Sequence, residues 1–366
     1  MNITISSMFV ALLTSTILII LLSFIFANKN SYKFFRIDFL SILLLITILR
    51  LCIPIEQFYT ITIAVPLFMN PFTDFLNFQI SHGITILHIL LFIWLIGSLI
   101  KCRELYKQIK QTNYLYKHIE KTCIKLDIKN LVTDYSGKNF PVFQSSFVSS
   151  PMVLLSKKTI FLPSIKYTDE EIANILYHEV AHITLHDSFI KRMIQILIIL
   201  YWWFPPIYKL EKQINLFLEL RVDAKVSKHM KDKEREKYLL TLLSVNKKNQ
   251  NTFPSTQISP FAISESENIL KFRIEYFLEG CNIKNSKKII LCFLLILYIG
   301  SNLIVFEPSH ENSKMVDGLM EIADFDYILH TKKGEYYIIL KNGSIFGAIT
   351  NPYAEEFQNL EIREEK

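Results

Sequence analysis

Residues 177–186 read Tyr-His-Glu-Val-Ala-His-Ile-Thr-Leu-His, and the rest of the chain is organised around them. Within it, His178, Glu179 and His182 form the pattern H-E-x-x-H. Residues four apart share one face of a helix, so the two imidazoles can point at a single ion. Two histidines at this spacing suit Zn²⁺, and Glu179 then lies beside the metal as a candidate base for a bound water. An amphipathic helix with ordinary surface histidines is the alternative.

The residues before this stretch predict a helix that begins near residue 169. Thr168-Asp169-Glu170-Glu171 is a capping box with acidic residues in the first turn, where they complement the helix dipole. The apolar positions behind the motif recur at helical spacing, at Ile172, Ile175, Leu176 and Val180. The pattern H-E-x-x-H is therefore expected on a helix.

A zinc peptidase site of this type needs a third ligand, and the sequence offers three sources. His186 continues the spacing, but one straight helix cannot bend three turns around one ion, so we expect it outside the ligand set. The pattern H-E-x-x-H-x-x-G-x-x-H fails because Leu185 and Ser188 stand where Gly and His are required. Glu219 and Asp223 share one face of a second apolar-periodic helix. One of them can bind metal while the other accepts a histidine N–H, as in glutamate zincins.

Four apolar runs indicate membrane-spanning helices. The chain has 366 residues, of which 51% are hydrophobic, and a helix needs about 20 apolar residues to cross a bilayer. The predicted spans are Met8–Ala27, Phe39–Ile53 (extended by Tyr32–Phe35 and interrupted by Arg50), Ile84–Ile100 and Ile289–Phe306. The second is the shortest, and a buried helix is the alternative there.

The net charge of +6 is concentrated beside these spans. The basic residues that flank them are Lys29, Lys33, Arg36, Lys101, Arg103, Lys107, Lys110, Lys117, Lys121, Lys284, Lys287 and Lys288. The positive-inside rule then places the N-terminus outside, residues 28–38 inside, 54–83 outside, 101–288 in the cytoplasm and the C-terminus outside the cell membrane. The basic excess therefore orients the chain, and no direct binding of nucleic acid is predicted.

Residues 101–288 are long enough for one catalytic domain of α+β type. A basic helix, Arg103–Lys125, precedes four short β-like runs at Leu131–Asp134, Pro141–Gln144, Met152–Leu155 and Thr159–Leu162. Zincins hold an extended peptide by adding it to a sheet edge. Thr159–Pro163 or the preceding run is the candidate edge, and a purely structural sheet is the alternative.

The apolar segment Met193–Phe204 separates the two helices that carry the candidate ligands. If it crossed the membrane, Glu219 would lie on the opposite side from the histidines, because no apolar run precedes it to return. We therefore expect this segment to dip into or lie on the membrane, with Trp202 and Trp203 at the interface.

Seven motifs follow one another along the chain. They are Ser149-Ser-Pro151, Ile160-Phe-Leu-Pro163, Ile175–Ile183 with Asp187, Trp203-Phe-Pro-Pro206, Glu219-x-x-x-Asp223-Ala224, Tyr238-Leu-Leu-x-Leu-Leu243 and Leu270-Lys-Phe-Arg-Ile274. In this order they resemble the motifs of the multi-pass zinc peptidases of the β-lactam sensor/antirepressor (BlaR/MecR-like) family. The resemblance covers most of residues 1–306.

The resemblance implies a multi-pass α-helical membrane protein with a cytoplasmic α+β glutamate-zincin peptidase domain. It implies Zn²⁺ bound by His178, His182 and Glu219, with Glu179 as the catalytic base and Asp223 as the outer partner of a ligand. The expected partners are a protein substrate such as a winged-helix repressor, the lipid bilayer and a second copy of the chain.

The expected domains follow the spans. Residues 1–100 hold three transmembrane helices with the outside loop 54–83, residues 101–288 the peptidase, residues 289–306 the fourth span, and residues 307–366 a small extracytoplasmic β-rich tail. Its alternating runs are Asp326–His330, Glu335–Leu340 and Ser344–Ile349, joined at Lys333-Gly334 and Asn342-Gly343. A three-stranded sheet is predicted.

Sensor members of the family carry a penicillin-binding domain with an S-x-x-K nucleophile after the last span. Residues 307–366 contain no S-x-x-K. Covalent reaction with a β-lactam is therefore not expected of these residues.

The function that these patterns favour is a membrane-bound zinc endopeptidase in signal transduction, which cleaves a cytosolic transcriptional repressor, itself, or both. A membrane quality-control or processing metalloprotease is one alternative, and a non-catalytic receptor with a structural metal is another. Glu179 counts against the last, because a structural site does not need a carboxylate there. For the group that stabilises the oxyanion, the sequence offers only neighbours such as Arg221 and His229.

Overall fold

The computed structural model describes residues 4–28, 37–54, 60–81, 83–133, 135–252, 267–280, 288–307, 325–331, 335–340, 345–349, 352 and 360–364. They divide into two compact units, one of Met1–Ile61 with Phe75–Val305, the other of Thr62–Asp74 with Phe306–Lys366. Several sequence features lie outside the described residues: the charges at 29–36 and 284–287, the extension Tyr32–Phe35, and the predicted turns at 333–334 and 342–343.

The described helices are α1 Ile5–Ala27, α2 Ile37–Cys52, α3 Pro66–Asn77, α4 Ile86–Thr122, α5 Ile128–Leu131, α6 Asp169–Thr184, α7 Asp187–Leu200, α8 Pro206–Ser227, α9 Asp232–Thr252, α10 Glu267–Gly280 and α11 Lys288–Leu303. The described strands are β1 Ile61–Ala64, β2 Gln79–Ser81, β3 Ile84–Thr85, β4 Lys125–Asp127, β5 Pro141–Ser145, β6 Met152–Leu154, β7 Thr159–Pro163, β8 Ile304–Glu307, β9 Phe325–His330, β10 Tyr336–Leu340, β11 Ile345–Ile349 and β12 Glu361–Glu364.

Two helices in the described part of the chain, α1 and α4, are long and apolar enough to cross a bilayer. The other two predicted spans are helices of 16 residues, α2 and α11. At 1.5 Å per residue each is about 24 Å long, shorter than the hydrocarbon core of about 30 Å. The prediction that the fourth helix reaches Phe306 is wrong, because the β-branched run from Ile304 forms strand β8.

A helical bundle forms one hydrophobic core. Apolar side chains of α1, α2, α7, α8 and α11 meet in it, among them Ile19, Leu22, Leu43, Ile194, Leu197, Leu210, Ile214, Phe217 and Leu294. Hydrogen bonds between polar side chains also link helices of the bundle. The buried Arg50 guanidinium of α2 donates to Thr14 Oγ1 of α1 at 3.2 Å and to Asn302 Oδ1 of α11 at 2.8 Å. This arginine therefore joins three helices where the sequence showed only an interruption.

Helix α4 continues without a break from the predicted third span into the predicted basic helix, and it ends at Thr122. Two tryptophans join it to the end of α7. Trp94 Nε1 donates to the Leu200 carbonyl at 2.8 Å, and Trp202 Nε1 donates to the Trp94 carbonyl at 3.2 Å. Trp202, expected at a membrane interface, thus packs on α4, while Trp203 is exposed.

Gly97 is required where Trp202 packs on α4. A Cβ on Gly97 would overlap the Trp202 indole, whereas a Cβ on Gly300 of α11 meets no described atom within 4 Å. Alanine in place of glycine favours a free helix by about 1 kcal/mol, but overpacking costs about 1–3 kcal/mol. We expect Gly97→Ala to lower the thermal unfolding midpoint of the detergent-solubilised chain by several degrees, and Gly300→Ala to keep or raise it. Equal midpoints for both variants would contradict this packing.

Helices α7 and α8 form an antiparallel hairpin. The chain advances 13 residues from Asp187 to Leu200, turns, and returns 13 residues from Pro206 to Glu219. The two arms are joined midway, where Gln195 Nε2 donates to Glu211 Oε1 at 2.9 Å. The hairpin brings Glu219 back to the level at which α7 begins, as the argument against a fifth crossing requires.

A four-stranded sheet lies between α6 and the end of α4. Its order is β4-β5-β7-β6, with β5 and β7 parallel and both outer pairs antiparallel. One face packs on α6 through side chains such as Val142, Ile160 and Leu176, and the other packs on Ile119 of α4 through Phe143 and Phe161.

Of the two candidate edges, the preceding run is an edge and Thr159–Pro163 is not. Strand β7 is paired on both sides and all its residues are buried, whereas β6, Met152–Leu154, pairs only with β7 among the described strands and lies beside α6. One prediction about this sheet is wrong. The run Leu131–Asp134 is not a strand: Lys125–Asp127 pairs with β5 instead, and Ile128–Leu131 is a short helix.

The second unit contains a four-stranded sheet with the order β11-β10-β9-β12. The three predicted runs form β9, β10 and β11, which pair antiparallel. The fourth strand, Glu361–Glu364, lies parallel to β9 and was not predicted. Its sequence Glu-Ile-Arg-Glu has one apolar residue, so it carries no clear alternation.

Candidate metal centre

Helix α6 is held at its start by the predicted capping box. The Glu171 N–H donates to Thr168 Oγ1 at 3.2 Å, and the Thr168 N–H donates to Glu171 Oε2 at 2.8 Å. Two side chains of α9 donate to the same carboxylate, Lys248 Nζ at 2.6 Å and Ser244 Oγ at 2.6 Å. Burial alone would raise the pKa of Glu171, but these hydrogen bonds outweigh it and lower that pKa to about 2. Helices α6 and α9 are thereby joined at one end of the site.

A sharp turn separates α6 from α7. His186 adopts a left-handed conformation with φ 58° and is exposed, so it lies outside the ligand set, as expected. Histidine is among the residues that tolerate this conformation. The turn brings Asp187, which is 0% exposed, back towards His182, and Asp187 Oδ2 accepts from His182 Nδ1 at 2.6 Å.

Three side chains from α6 and α8 converge in the buried space between these helices. His178 Nε2 lies 3.2 Å from His182 Nε2 and 3.3 Å from Glu219 Oε2. His182 Nε2 lies 3.5 Å from Glu219 Oε1. One ligand atom from each of the three lies within 4.8 Å of the others, and the group can hold a metal ion.

The donor set fits a tetrahedral zinc ion. Ligand atoms about 2.0–2.1 Å from a tetrahedral ion are about 3.3 Å apart, which is close to the observed separations. Glu219 Oε1 is buried and has no hydrogen-bond partner among the described residues. Two imidazole nitrogens and a carboxylate are also the ligands of many catalytic zinc sites. These residues therefore form a candidate metal centre.

Each histidine is oriented by a hydrogen bond at its other ring nitrogen. His182 Nδ1 donates to Asp187, and His178 Nδ1 donates to the Tyr238 hydroxyl at 2.9 Å. Tyr238 in turn donates to Asp223 Oδ1 at 2.8 Å. Such partners fix the tautomer in which Nε2 is free to bind metal. The predicted contact between Asp223 and a histidine is thus made mainly through Tyr238, since Asp223 Oδ1 itself lies 3.5 Å from His178 Nδ1.

The carboxyl groups of the site differ in pKa. Burial raises the pKa of Glu179, although the nearby His178 and His182 oppose the rise. Burial would also raise the pKa of Glu219, but His182, Arg273 and His178 outweigh it and lower that pKa to about 2. Glu219 is therefore held ionised, as a metal ligand must be, whereas Glu179 has the raised basicity of a proton acceptor.

Three cations balance the buried carboxylates. Arg221 pairs with Asp187 and also donates to the Leu185 carbonyl at 3.2 Å. Arg273 of α10 donates to Asp223 through two nitrogens at 2.7 and 2.8 Å. Lys191 of α7 is buried, and its pKa is lowered by that burial although carboxylates including Glu219 oppose the shift. Arg221, a neighbour considered for the oxyanion, is thus engaged with Asp187.

The structure brings together all five residues that the sequence singled out. It adds Asp187, Tyr238, Arg273 and Lys191, to which no role was given. Asp187, Tyr238 and Arg273 belong to the quoted motifs, but the motifs do not indicate which residues they contact. Lys191 lies one helical turn after Asp187 in an apolar helix. A charged residue within an apolar run is the feature of the sequence that could have identified it.

Comparison with known proteins gives one family and a few relatives. A family model described as BlaR1 peptidase M56 matches residues 2–277 of this chain. The chain is 25% identical over 160 residues to the methicillin resistance mecR1 proteins of Staphylococcus aureus and Staphylococcus epidermidis. The match covers 42% of this chain and 27% of theirs, so it spans about a quarter of the relatives' length.

Proposed function

The chain belongs to the BlaR1 peptidase M56 family, and from this membership and its buried site we propose that it is a membrane-bound, zinc-dependent endopeptidase of signal transduction. The observation that carries the proposal is the convergence of His178, His182 and Glu219 with Glu179 beside them on α6. A structural metal would not need a buried carboxylate of raised pKa next to its ligands.

His178, His182 and Glu219 would hold the zinc ion. When bound, zinc acts as a Lewis acid that lowers the pKa of a water molecule to about 7 and polarises a carbonyl. The outer contacts keep the ligands in place: Asp187 orients His182, and Tyr238 orients His178. The buried setting strengthens these electrostatic interactions by excluding bulk water.

Glu179 is the proposed proton carrier. Its carboxylate takes a proton from the attacking water as the oxygen adds to the scissile carbonyl, and it passes that proton to the leaving amine nitrogen. The peptide bond breaks, and one water is consumed for each carboxyl and amine formed. Burial raises the pKa of Glu179, and the greater basicity favours transfer of a proton from water to its carboxylate.

The substrate would lie along β6. This strand is a described edge of the sheet and lies beside α6, so an extended peptide can pair with its open side. We propose a cytosolic transcriptional repressor of winged-helix type as the substrate, or the chain itself. The family membership and the resemblance of the site motifs support this choice.

Mapping of new protein N-termini in cells tests the proposed function. Cells that produce the wild type should contain one or a few new N-termini, in a DNA-binding repressor or in this chain, that are missing from cells that produce Glu179→Gln. New termini spread over many unfolded membrane proteins would favour the quality-control alternative. Identical termini in both cells would contradict proteolysis altogether.

The proposed topology has four spans, with residues 101–288 in the cytoplasm and residues 307–366 outside. The basic flanks support it through the positive-inside rule. Reporter fusions after Lys125, Lys247 and Lys314 should read inside, inside and outside. An outside reading at Lys247 together with an inside reading at Lys125 would make residues 193–204 a crossing and would contradict the single-site scheme.

A further inference from the structure

Helix α10 reaches the metal centre through one side chain. Arg273 is 3% exposed and forms a two-pronged hydrogen bond with Asp223, at 2.8 Å from Nε and 2.7 Å from Nη2. Its third nitrogen, Nη1, lies 3.3 Å from Glu219 Oε2. One guanidinium therefore contacts both the candidate metal ligand and the outer carboxylate, which lie one turn apart on α8.

The neighbouring side chains of α10 contact the bundle. Phe272 packs edge-on against Phe26 at the end of α1, with ring centroids 5.6 Å apart. Phe272 also stacks on Tyr276, one turn further along, at 6.4 Å. Tyr276 is buried with Leu220 of α8, and Ile37 at the start of α2 packs against the same cluster. Adjacent residues of α10 thus contact the ends of α1 and α2 on one side and the metal centre on the other.

We propose that α10 couples the ends of α1 and α2 to the metal centre, and that Arg273 is the positioning residue through which it acts. This inference rests on the proposed function, since it assigns a control element to the same site. A guanidinium is planar and presents its donors in a rigid fork, so its position fixes the carboxylates that it binds. A displacement of α10 changes the setting of Glu219 directly and that of His178 through Asp223 and Tyr238.

A small displacement of α10 is enough to alter the metal centre, because the hydrogen bonds of the Arg273 guanidinium tolerate little change in geometry. Hydrogen bonds weaken steeply once distance and angle leave the favoured range, so a shift of about 1 Å in α10 breaks at least one prong. Outer partners of metal ligands commonly set metal affinity by about 10–100-fold. A movement at the ends of α1 and α2 that displaces Phe26 is thereby converted into a change in the metal centre.

The test uses the full chain in detergent micelles, loaded with Co²⁺ as a spectroscopic substitute for zinc. The readouts are the visible absorption spectrum of the cobalt form and zinc affinity by competition with a chelator, neither of which depends on cleavage. The variants are Arg273→Met, Arg273→Lys and Phe272→Ala. Arg192→Met is the matched control, because Arg192 is an exposed arginine whose described hydrogen bonds go to Ser188 of its own helix.

We expect Arg273→Met to lower zinc affinity about 10–100-fold and to alter the cobalt spectrum. Arg273→Lys keeps the charge without the fork, so it should restore folding but only part of the affinity. If Arg273→Met does not fold, the zinc affinity and cobalt spectrum of Arg273→Lys test the role of Arg273. Arg192→Met should match the wild type. Wild-type affinity and spectrum in both folded Arg273 variants, or in Arg273→Lys alone if only that variant folds, would overturn the role of Arg273.

Phe272→Ala tests the link to the bundle, because it removes the contact with Phe26 and leaves the guanidinium in place. It should lower zinc affinity about 3–10-fold, less than the loss of an outer partner itself. Phe26→Ala should also lower the affinity, and the double variant should lose less than the sum of the two single losses, because both variants remove the contact between these two rings. Unchanged affinity in both single variants, or additive losses, would overturn the coupling. A wild type that binds zinc but cleaves nothing would count against the proposed function and leave this result intact.

Discussion

Glu179→Gln should retain zinc and lose peptidase activity by about 10²–10⁴-fold, the range that a positioned acid–base group contributes. Glutamine has nearly the same shape, so the buried space stays filled. The described metal-binding group consists of His178, His182 and Glu219, and it is untouched by this change. The amide, however, cannot take the proton from water. Zinc content by atomic emission and cleavage of the identified substrate, measured on the same preparation, check the expectation.

Glu170→Gln is the matched control. Glu170 stands on the same helix, is exposed, and pairs with Lys237 at 3.1 Å. This variant should keep wild-type zinc content and wild-type cleavage. Full activity in Glu179→Gln would assign proton transfer to another group, and loss of zinc in that variant would place Glu179 among the ligands.

Glu219→Ala should lose zinc affinity by more than about 100-fold, exceeding the loss expected for an outer partner. It removes the one carboxylate of the three-residue group and leaves two imidazoles, which is too few for a catalytic zinc site. Asp223 remains to accept from Arg273, so the cation is not left unpaired. Titration with a chelating dye gives the affinity, and circular dichroism of the metal-free protein checks that the helices persist.

Glu211→Ala is the control for Glu219→Ala. Glu211 lies on the same helix and accepts a hydrogen bond from Gln195, away from the histidines. We expect it to keep zinc. If Glu219→Ala bound zinc normally, the third ligand would have to be sought elsewhere, and Asp223 would be the first candidate because it lies on the same face of α8.

The candidate site could be predicted from the sequence because its residues obey helical spacing. The pairs 178/182 and 219/223 are each four residues apart, so each is placed on one face by local geometry alone. What the sequence did not give is which residues satisfy the second nitrogen of each histidine. Those contacts depend on the left-handed turn at His186 and on the docking of α9, which are tertiary features.

For a related reason, the sequence left open whether Thr159–Pro163 or the preceding run is the edge of the sheet. Central strands and edge strands can both be apolar and β-branched. The neighbours of Thr159–Pro163 are Pro141–Ser145, which lies further back in the chain, and Met152–Leu154, which a short turn joins to it. Local alternation identifies a strand but not the number of its partners.

Helix α8 limits which part of this protein can be exchanged by gene fusion. One of its faces carries Glu219 and Asp223, and another carries Leu210, Ile214 and Phe217, which are buried in the same core as residues of α1 and α2. Gln213 of this helix also donates to the Ile19 carbonyl at 3.1 Å. A gene fusion that moved residues 101–288 onto a foreign anchor would leave that apolar face uncovered. The smallest segment that can be exchanged with this face covered therefore contains α1, α2 and α8 together, and the family match across residues 2–277 includes all three helices.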